Sequence, residues 1–326
     1  MALKTSTIGT VAQTVIGVDV ASKHLDAAVH GEPSIKRLNN SPASIARWLD
    51  ALPAGSVIAA ESTSRYHEAL VHQAHARGFV VYLLNPRDVR HYARGLGMRG
   101  KTDTLDARVL ARYAAHEGSE LRPWQPLSPE QSLLEELIRR RGVLVKHQAA
   151  IEQSLSDSPL LRTGSAALMR EFDKLLDQLD TQIAQACADL TLDSGDFERI
   201  TSVPGIGLLT GAALLTLFHR LATRGADAVI AFLGLDPRPM DSGQKTGVRR
   251  LSKRGPAEWR RLLFNAARSA SRTKAWKAVY EHELSKRLST TAALNILARK
   301  LVRVAFCLYK SQSSFDASRV IAPQKA

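Results

Sequence analysis

Four acidic residues stand where their type and spacing could do chemistry. Asp19 closes the apolar run Ile16-Gly17-Val18, Glu61 closes Ile58-Ala59-Ala60, and Asp103 and Asp106 stand three apart in Lys101-Thr102-Asp103-Thr104-Leu105-Asp106-Ala107. A charge at the end of an apolar strand opens onto a sheet edge, where α/β folds place their sites. Residues three apart at the start of a helix share one face. Carboxylates gathered in one place repel unless cations lie between them, and hard oxygen donors select Mg²⁺ or Mn²⁺. Two such ions about 4 Å apart would stabilise both the attacking and the leaving oxygen of an in-line phosphoryl displacement. The plainer reading of Asp103 and Asp106 is as N-cap and N3 acids of a helix, worth about 1 kcal/mol. Asp19 resists that reading, because an apolar strand has little other use for it.

The elements that must position these acids alternate. Thr14–Val20 reads as a strand and His24–His30 as its hairpin partner. Ser41, Pro42 and the spacing of Ile45, Trp48, Leu49 and Leu52 predict a helix. Ser56–Ala60 and Phe79–Leu84 read as strands, the second closed by Asn85-Pro86, and Tyr66–Arg77 as a helix stopping at Gly78. Thr104–His116 is a further helix. Such alternation implies an α/β layer fold with some parallel pairing. His67, His72 and His75 share one predicted helix and read as surface or packing residues rather than ligands.

Trp124, Pro126 and Pro129 punctuate a boundary, after which the texture changes. Leu134, Leu137, Leu144, Ile151 and Leu155 fall at heptad-like spacing, with Arg141 and Gln148 at seam positions. Beyond Pro159, Leu168, Phe172, Leu175, Leu179, Ile183, Ala186 and Leu190 repeat the pattern. Two long helices around a break read as an antiparallel coiled-coil hairpin or as members of an ordinary helical bundle. The expected organisation is therefore an α/β domain over 1–126, a helical coiled-coil connector over 127–195 and a mainly α-helical domain over 196–326.

Charge separates these parts. The 326-residue chain carries a formal net charge of +14, and from Asp196 onward it holds 23 Lys+Arg against 9 Asp+Glu, so the preceding residues are neutral in sum. That asymmetry points to a polyanion partner for the C-terminal part, since every neutralised phosphate releases condensed counterions. Arg249, Arg250, Lys253, Arg254, Arg260 and Arg261 form the densest basic run and are read as phosphate contacts without base specificity, together with Lys101. Ile200 through Gly207 resembles a helix-hairpin-helix turn whose glycines would admit a phosphate, or else simply lets two helices pack closely. With Cys187 and Cys307 alone, no disulfide framework is expected, and a reducing cytoplasm fits. The most apolar stretch, Val203–Phe218, is broken by Pro204 and by glycines and is too short to span a bilayer.

Taken together, the runs Ile16-Gly17-Val18-Asp19-Val20-Ala21-Ser22-Lys23 with Leu25-Asp26, then Glu61-Ser62-Thr63 before Tyr66-His67, then Asn85-Pro86-Arg87 through Ala107, are collinear and specific. In them the sequence resembles the DEDD-type insertion-sequence transposases of the IS-one-ten type, also described as bridge-RNA-guided recombinases. The resemblance implies an RNase H/RuvC-like domain whose Asp19, Glu61, Asp103 and Asp106 bind Mg²⁺, with Mn²⁺ as a substitute. It implies a C-terminal domain with a nucleophilic serine, matched by Ser242 in Met240-Asp241-Ser242-Gly243-Gln244-Lys245. By residue type alone Ser242 is an ordinary Ser-Gly turn. The resemblance further implies DNA (element ends and target) and a guide RNA as partners, a homo-oligomer built as a dimer of dimers, and a phosphoserine intermediate. The residues by themselves also admit a metal-dependent junction nuclease, or a nucleic-acid-binding protein without catalysis.

Overall fold

A computed structural model of the chain describes residues 13–62, 65–97, 103–221, 224–238 and 249–320, with side chains in the 103–117 helix described from 106 onward. The chain divides into two compact units, Met1–Pro126 and Leu127–Ala326.

The first unit is a five-stranded sheet covered on both faces. Its strands are β1 (Val15–Val20), β2 (His24–Val29), β3 (Ile35–Asn39), β4 (Val57–Glu61) and β5 (Val80–Leu84), in the order β3-β2-β1-β4-β5. The β1–β2–β3 meander is antiparallel, whereas β4 and β5 add in parallel beside β1. The helices are α1 (Pro42–Asp50), α2 (Glu68–Ala76), α3 (Pro86–Gly95) and α4 (Asp103–Glu117). This is an RNase H/RuvC-like α/β architecture. β3 and α3 are absent from the sequence-based expectation. β3 has only Leu38 buried in an otherwise charged run, so it lacks a full alternating signature. α3 starts at Asn85, whose side chain accepts from the Arg87 N–H, with Pro86 in its first turn. Asn-Pro is thus a helix start as well as a strand stop.

Alternation along the strands sorts the two faces. Ile16, Val18, Ile58, Ala60 and Val81 join Ile45, Leu49, Leu70 and Val71 in one core under α1 and α2. Ala59 and Leu84 join Val89, Val109, Leu110 and Ala114 in a second core under α3 and α4. His72 and His75 each pack edge-on against Trp124, at ring distances of 4.9 and 5.8 Å, in keeping with a packing role.

The second unit is helical. It opens with α5 (Pro129–Leu155) and α6 (Arg162–Leu190), then α7 (Asp196–Thr201), α8 (Leu208–Arg220) and α9 (Ala226–Leu233). A two-residue ribbon, β6 (Pro237–Arg238) with β7 (Arg250–Leu251), precedes α10 (Ala257–Ala270), α11 (Lys277–Ser285) and α12 (Thr290–Ser311). The seam positions explain how α5 and α6 pair. Arg141 grips the Asp180 carboxylate through two nitrogens, and Gln148 donates to Asp173 at 2.7 Å. Both contacts run in the antiparallel sense, so the polar seam residues set the register of a helical hairpin. The hairpin is not a free-standing connector at its base. Leu134, Ile138, Ile183 and Cys187 are buried in the same core as α8, α10 and α12. Gly205 and Gly211 favour the packing account of the 200–207 turn. A Cβ at Gly205, where φ is +100°, would fall 2.5 Å from the Ala270 Cβ, and one at Gly211 would fall 2.6 Å from Thr201. Among the described residues no helix is long and apolar enough to cross a membrane.

Candidate active site

Two of the four acids end adjacent parallel strands. The β1–β4 register aligns Val15 with Val57 and Val18 with Ala60, so Asp19 and Glu61 follow as the next residues of neighbouring strands. Strand alternation turns Gly17 and Asp19 to the same face as Ala59 and Glu61, the face that carries α4. Just past Glu61, Ser62 ties the end of β4 to β5 through its N–H and hydroxyl, both donating to the Leu84 carbonyl. The edge is therefore held where the acid emerges.

Gly17 decides how near α4 comes. A Cβ at that position would lie 2.1 Å from the Ala107 carbonyl oxygen and 2.2 Å from the Ala111 nitrogen. Only a glycine lets the helix backbone rest on β1 there. The direction of α4 follows from its other end. His116, in its last turn, lies 5.5 Å ring to ring from His30, which follows β2 beside the N-terminal end of β1. The first turn of α4 consequently lies toward the carboxyl edge of the strands. Asp106 is one residue, about 1.5 Å of helix rise, from the Ala107 contact, while Asp19 is two residues, about 6.6 Å, along β1 from Gly17. Asp19, Glu61 and Asp106 are all half-buried. Asp103 is the first residue of α4. Among the described residues no three acidic, histidine or cysteine side chains lie close enough together to hold an ion. The backbone thus brings Asp19, Glu61 and Asp106 toward one sheet edge, and among the described residues their oxygens do not close into a cage. All of the donors are carboxylate oxygens, the set that suits Mg²⁺ or Mn²⁺.

A fifth carboxylate adjoins them. Asp26 lies directly opposite Asp19 in the β1–β2 register and is 2% exposed. Arg37, its cross-strand neighbour on β3, donates from Nε and Nη2 to the two carboxylate oxygens at 2.7 Å each. Those hydrogen bonds hold the Asp26 carboxyl below the usual carboxylate range against the opposing effect of burial. The buried Asp26 carboxylate therefore has its charge matched by Arg37. The sign that could have singled it out was an acid in the inward phase of His24-Leu25-Asp26-Ala27-Ala28.

In the second unit, Ser242 and its neighbours fall outside the described residues, as does Lys101. The ends of that segment are fixed nonetheless. Arg238 pairs with Arg250 and Pro237 with Leu251. Gly234, at φ +67°, and Gly255 admit a close crossing, since a Cβ on Gly255 would fall 2.0 Å from the Phe232 carbonyl oxygen. Buried Ser252 hydrogen-bonds the Asp236 carboxylate. Arg260 donates to the carbonyls of Leu233 and Gly255, so its guanidinium braces this crossing. Arg261 is likewise engaged, with both Glu258 oxygens at 2.7 and 2.5 Å. These two are engaged within the protein, and Arg249, Arg250, Lys253 and Arg254 are exposed.

Residues 16–158 match the DEDD-type IS110 family model described as "Transposase", and residues 197–281 match the model described as "Transposase IS116/IS110/IS902 family". The chain is 27% identical over 320 residues to the "Pilin gene-inverting protein" of Moraxella bovis, covering 93% of this chain and 98% of the relative. It is 23% identical to the "Transposase for insertion sequence element IS1328" of Yersinia enterocolitica at the same coverage, and 25% identical over 278 residues to that of IS1111A from Coxiella burnetii, covering 73% of each. Two adjacent family matches, and relatives alike nearly end to end, agree with a carboxylate-edged α/β unit followed by a basic helical one: the chain belongs to the IS110-type transposases and is a DNA transposase/recombinase.

Proposed function

We propose that this transposase cuts and rejoins DNA through Ser242, with Asp19, Glu61, Asp103 and Asp106 as the residues that hold Mg²⁺ and a structured RNA that selects the site. The Ser242 hydroxyl gives its proton to solvent, and its Oγ bonds to phosphorus as the bond from phosphorus to a sugar oxygen breaks. The departing sugar oxygen takes up a proton. The phosphoserine ester conserves the phosphodiester linkage, so a second sugar hydroxyl reverses the step and releases the serine without ATP. A serine hydroxyl is a poor nucleophile near neutral pH and needs activation. Bound divalent ions supply positive charge for the attacking and leaving oxygens.

The chain's own residues provide the rest. Asp26, matched by Arg37, occupies the strand position beside Asp19 without adding an unmatched charge to the edge. Arg249, Arg250, Lys253, Arg254 and Lys101 offset the phosphate backbone, while Arg260 braces the crossing of Leu233 and Gly255 and Arg261 pairs with Glu258. Acids and serine belong to separate units, so a composite site between protomers, in a tetramer built as a dimer of dimers, fits the reading. The three-part organisation, with the α5–α6 hairpin as connector, belongs to the same proposal. The observation that carries it is the shared carboxyl edge of Asp19 and Glu61, with α4 brought onto β1 at Gly17.

The experiment is a denaturant-resistant adduct assay with element-end DNA, Mg²⁺ and the RNA transcribed beside the gene. The wild type is expected to give a covalent protein–DNA adduct and strand exchange, and Ser242→Ala neither. Full strand exchange by Ser242→Ala would point instead to a nuclease that uses water. No cleavage or joining by the wild type would leave a binding protein.

A further inference from the structure

The second unit carries a cavity of about 540 Å³ between the end of α10, α11 and the start of α12. Arg268, Arg272 and Lys277 line it. Arg268 and Arg272 are exposed and have no ion-pair partner among the described residues. Lys277 lies 3.9 Å from Glu281, a loose pair with both side chains more than half exposed. One carboxylate among three cations leaves the cavity positive. Thr290, also in the lining, is the first residue of the 22-residue α12. The cap of that helix, Ser289, accepts only from the Ala292 N–H, so the first-turn amides and the helix dipole add partial positive charge. The opposite wall is of another kind. Leu284 and Leu294 are apolar, and Tyr280 is half-buried against the core.

We infer that this cavity binds one nucleotide of an unpaired nucleic-acid strand, its phosphate against Arg268, Arg272 and the start of α12, its base against Tyr280 and the leucines. A cation rim facing an aromatic and apolar wall matches a phosphate joined to a flat base, the pairing that single-strand sites use. The volume lies in the range of small-ligand pockets. A duplex presents a convex backbone with its bases stacked inside and cannot offer a base to such a concavity. The inference rests on the chain being a transposase that handles nucleic acid, and not on the chemistry of Ser242.

The test is fluorescence anisotropy of the full-length protein with labelled oligothymidylate, oligouridylate and a duplex of equal length, over a series of salt concentrations. Arg268→Gln combined with Arg272→Gln is expected to weaken single-strand binding about tenfold and to lower the salt slope by about 0.7, the amount for one phosphate contact on a single strand. Duplex binding should change less than about twofold. Thr290→Trp fills the cavity without altering charge and should weaken single-strand binding comparably. Thermal melting confirms that each variant is folded. A larger loss for oligothymidylate than for oligouridylate assigns the site to DNA, and the reverse to RNA. Unchanged single-strand affinity in either variant would overturn the inference, as would a parallel loss for duplex, the mark of a general basic surface. A protein that binds single strands through this cavity yet forms no Ser242 adduct would defeat the serine mechanism and leave the pocket standing.

Discussion

The two units hold their chemistry by the same device and to different ends. In the first, Gly17 lets α4 rest on β1, and the residues it helps to place belong to regular elements: the ends of two parallel strands and the first turns of a helix. In the second, Gly234 and Gly255 let the chain cross itself at the foot of a ribbon, and what they help to fix is the pairing of β6 with β7. A site built on strand ends inherits the rigidity of the hydrogen-bonded sheet. The difference is one of scaffold: the first unit presents its acids on a hydrogen-bonded sheet, the second presents exposed cations beside a two-strand ribbon.

The largest effect that could break this comparison is chemical. Asp19→Asn should reduce strand transfer by about 10³-fold or more, several kcal/mol of transition-state stabilisation, with little change in melting temperature. An Asp19→Asn protein that keeps wild-type transfer would remove the sheet edge from the mechanism. Next in size is Gly17→Ala. Its Cβ meets two backbone atoms that cannot rotate away, so a loss of about 3 kcal/mol is expected from overpacking, confined to the unfolding of the first unit. Gly255→Ala is the counterpart and should cost the second unit a similar amount or somewhat less, the crossing being nearer the surface. Hydrogen exchange resolved along the chain distinguishes them, and either substitution loosening both units equally would show that the two are not separately held.

A smaller effect sharpens the account of the edge. The Asp26 carboxyl is held below its ordinary range, so the Asp26–Arg37 pair stabilises the fold above the unfolded-state value near 3.8 and is lost as pH falls through the lower folded-state value. Arg37 is largely exposed, which reduces the worth of the pair. Arg37→Gln should therefore cost about 1–2 kcal/mol at pH 7, with the gap from wild type closing below about pH 4. A gap independent of pH would mean that Arg37 acts through packing alone. The smallest effect concerns the hairpin. A double-mutant cycle on Arg141→Ala and Asp180→Ala should give a coupling of about 1 kcal/mol in denaturant unfolding. No coupling would reduce the seam pair to a surface contact.

Much of the first unit was legible because its signals are local. Apolar runs of strand length, the cap Ser41-Pro42 and the helix stop at Gly78 each declare themselves within a few residues, and the acids were conspicuous as charges ending such runs. β3 was hidden because one edge strand buries a single leucine. The bonds of Arg260 to two carbonyls were not legible, because in sequence a guanidinium in a basic run looks the same whether it faces phosphate or backbone. The polar seam of α5 was visible as an interruption of heptads, but its meaning depended on Asp173 and Asp180, which only the pairing of two helices brings opposite.

The order of residues alone thus determined the element types, the division of charge between the two halves and the four candidate acids, because propensity, periodicity and charge are read over short windows. Tertiary structure alone decided that Asp19 and Glu61 are neighbours, that α4 runs back along β1, and that Asp26 is matched by Arg37. It alone gathered Arg268, Arg272 and Lys277 around one hollow. Each of these turns on which surfaces come together across long stretches of chain, and that is set by the packing of whole elements rather than by any local preference.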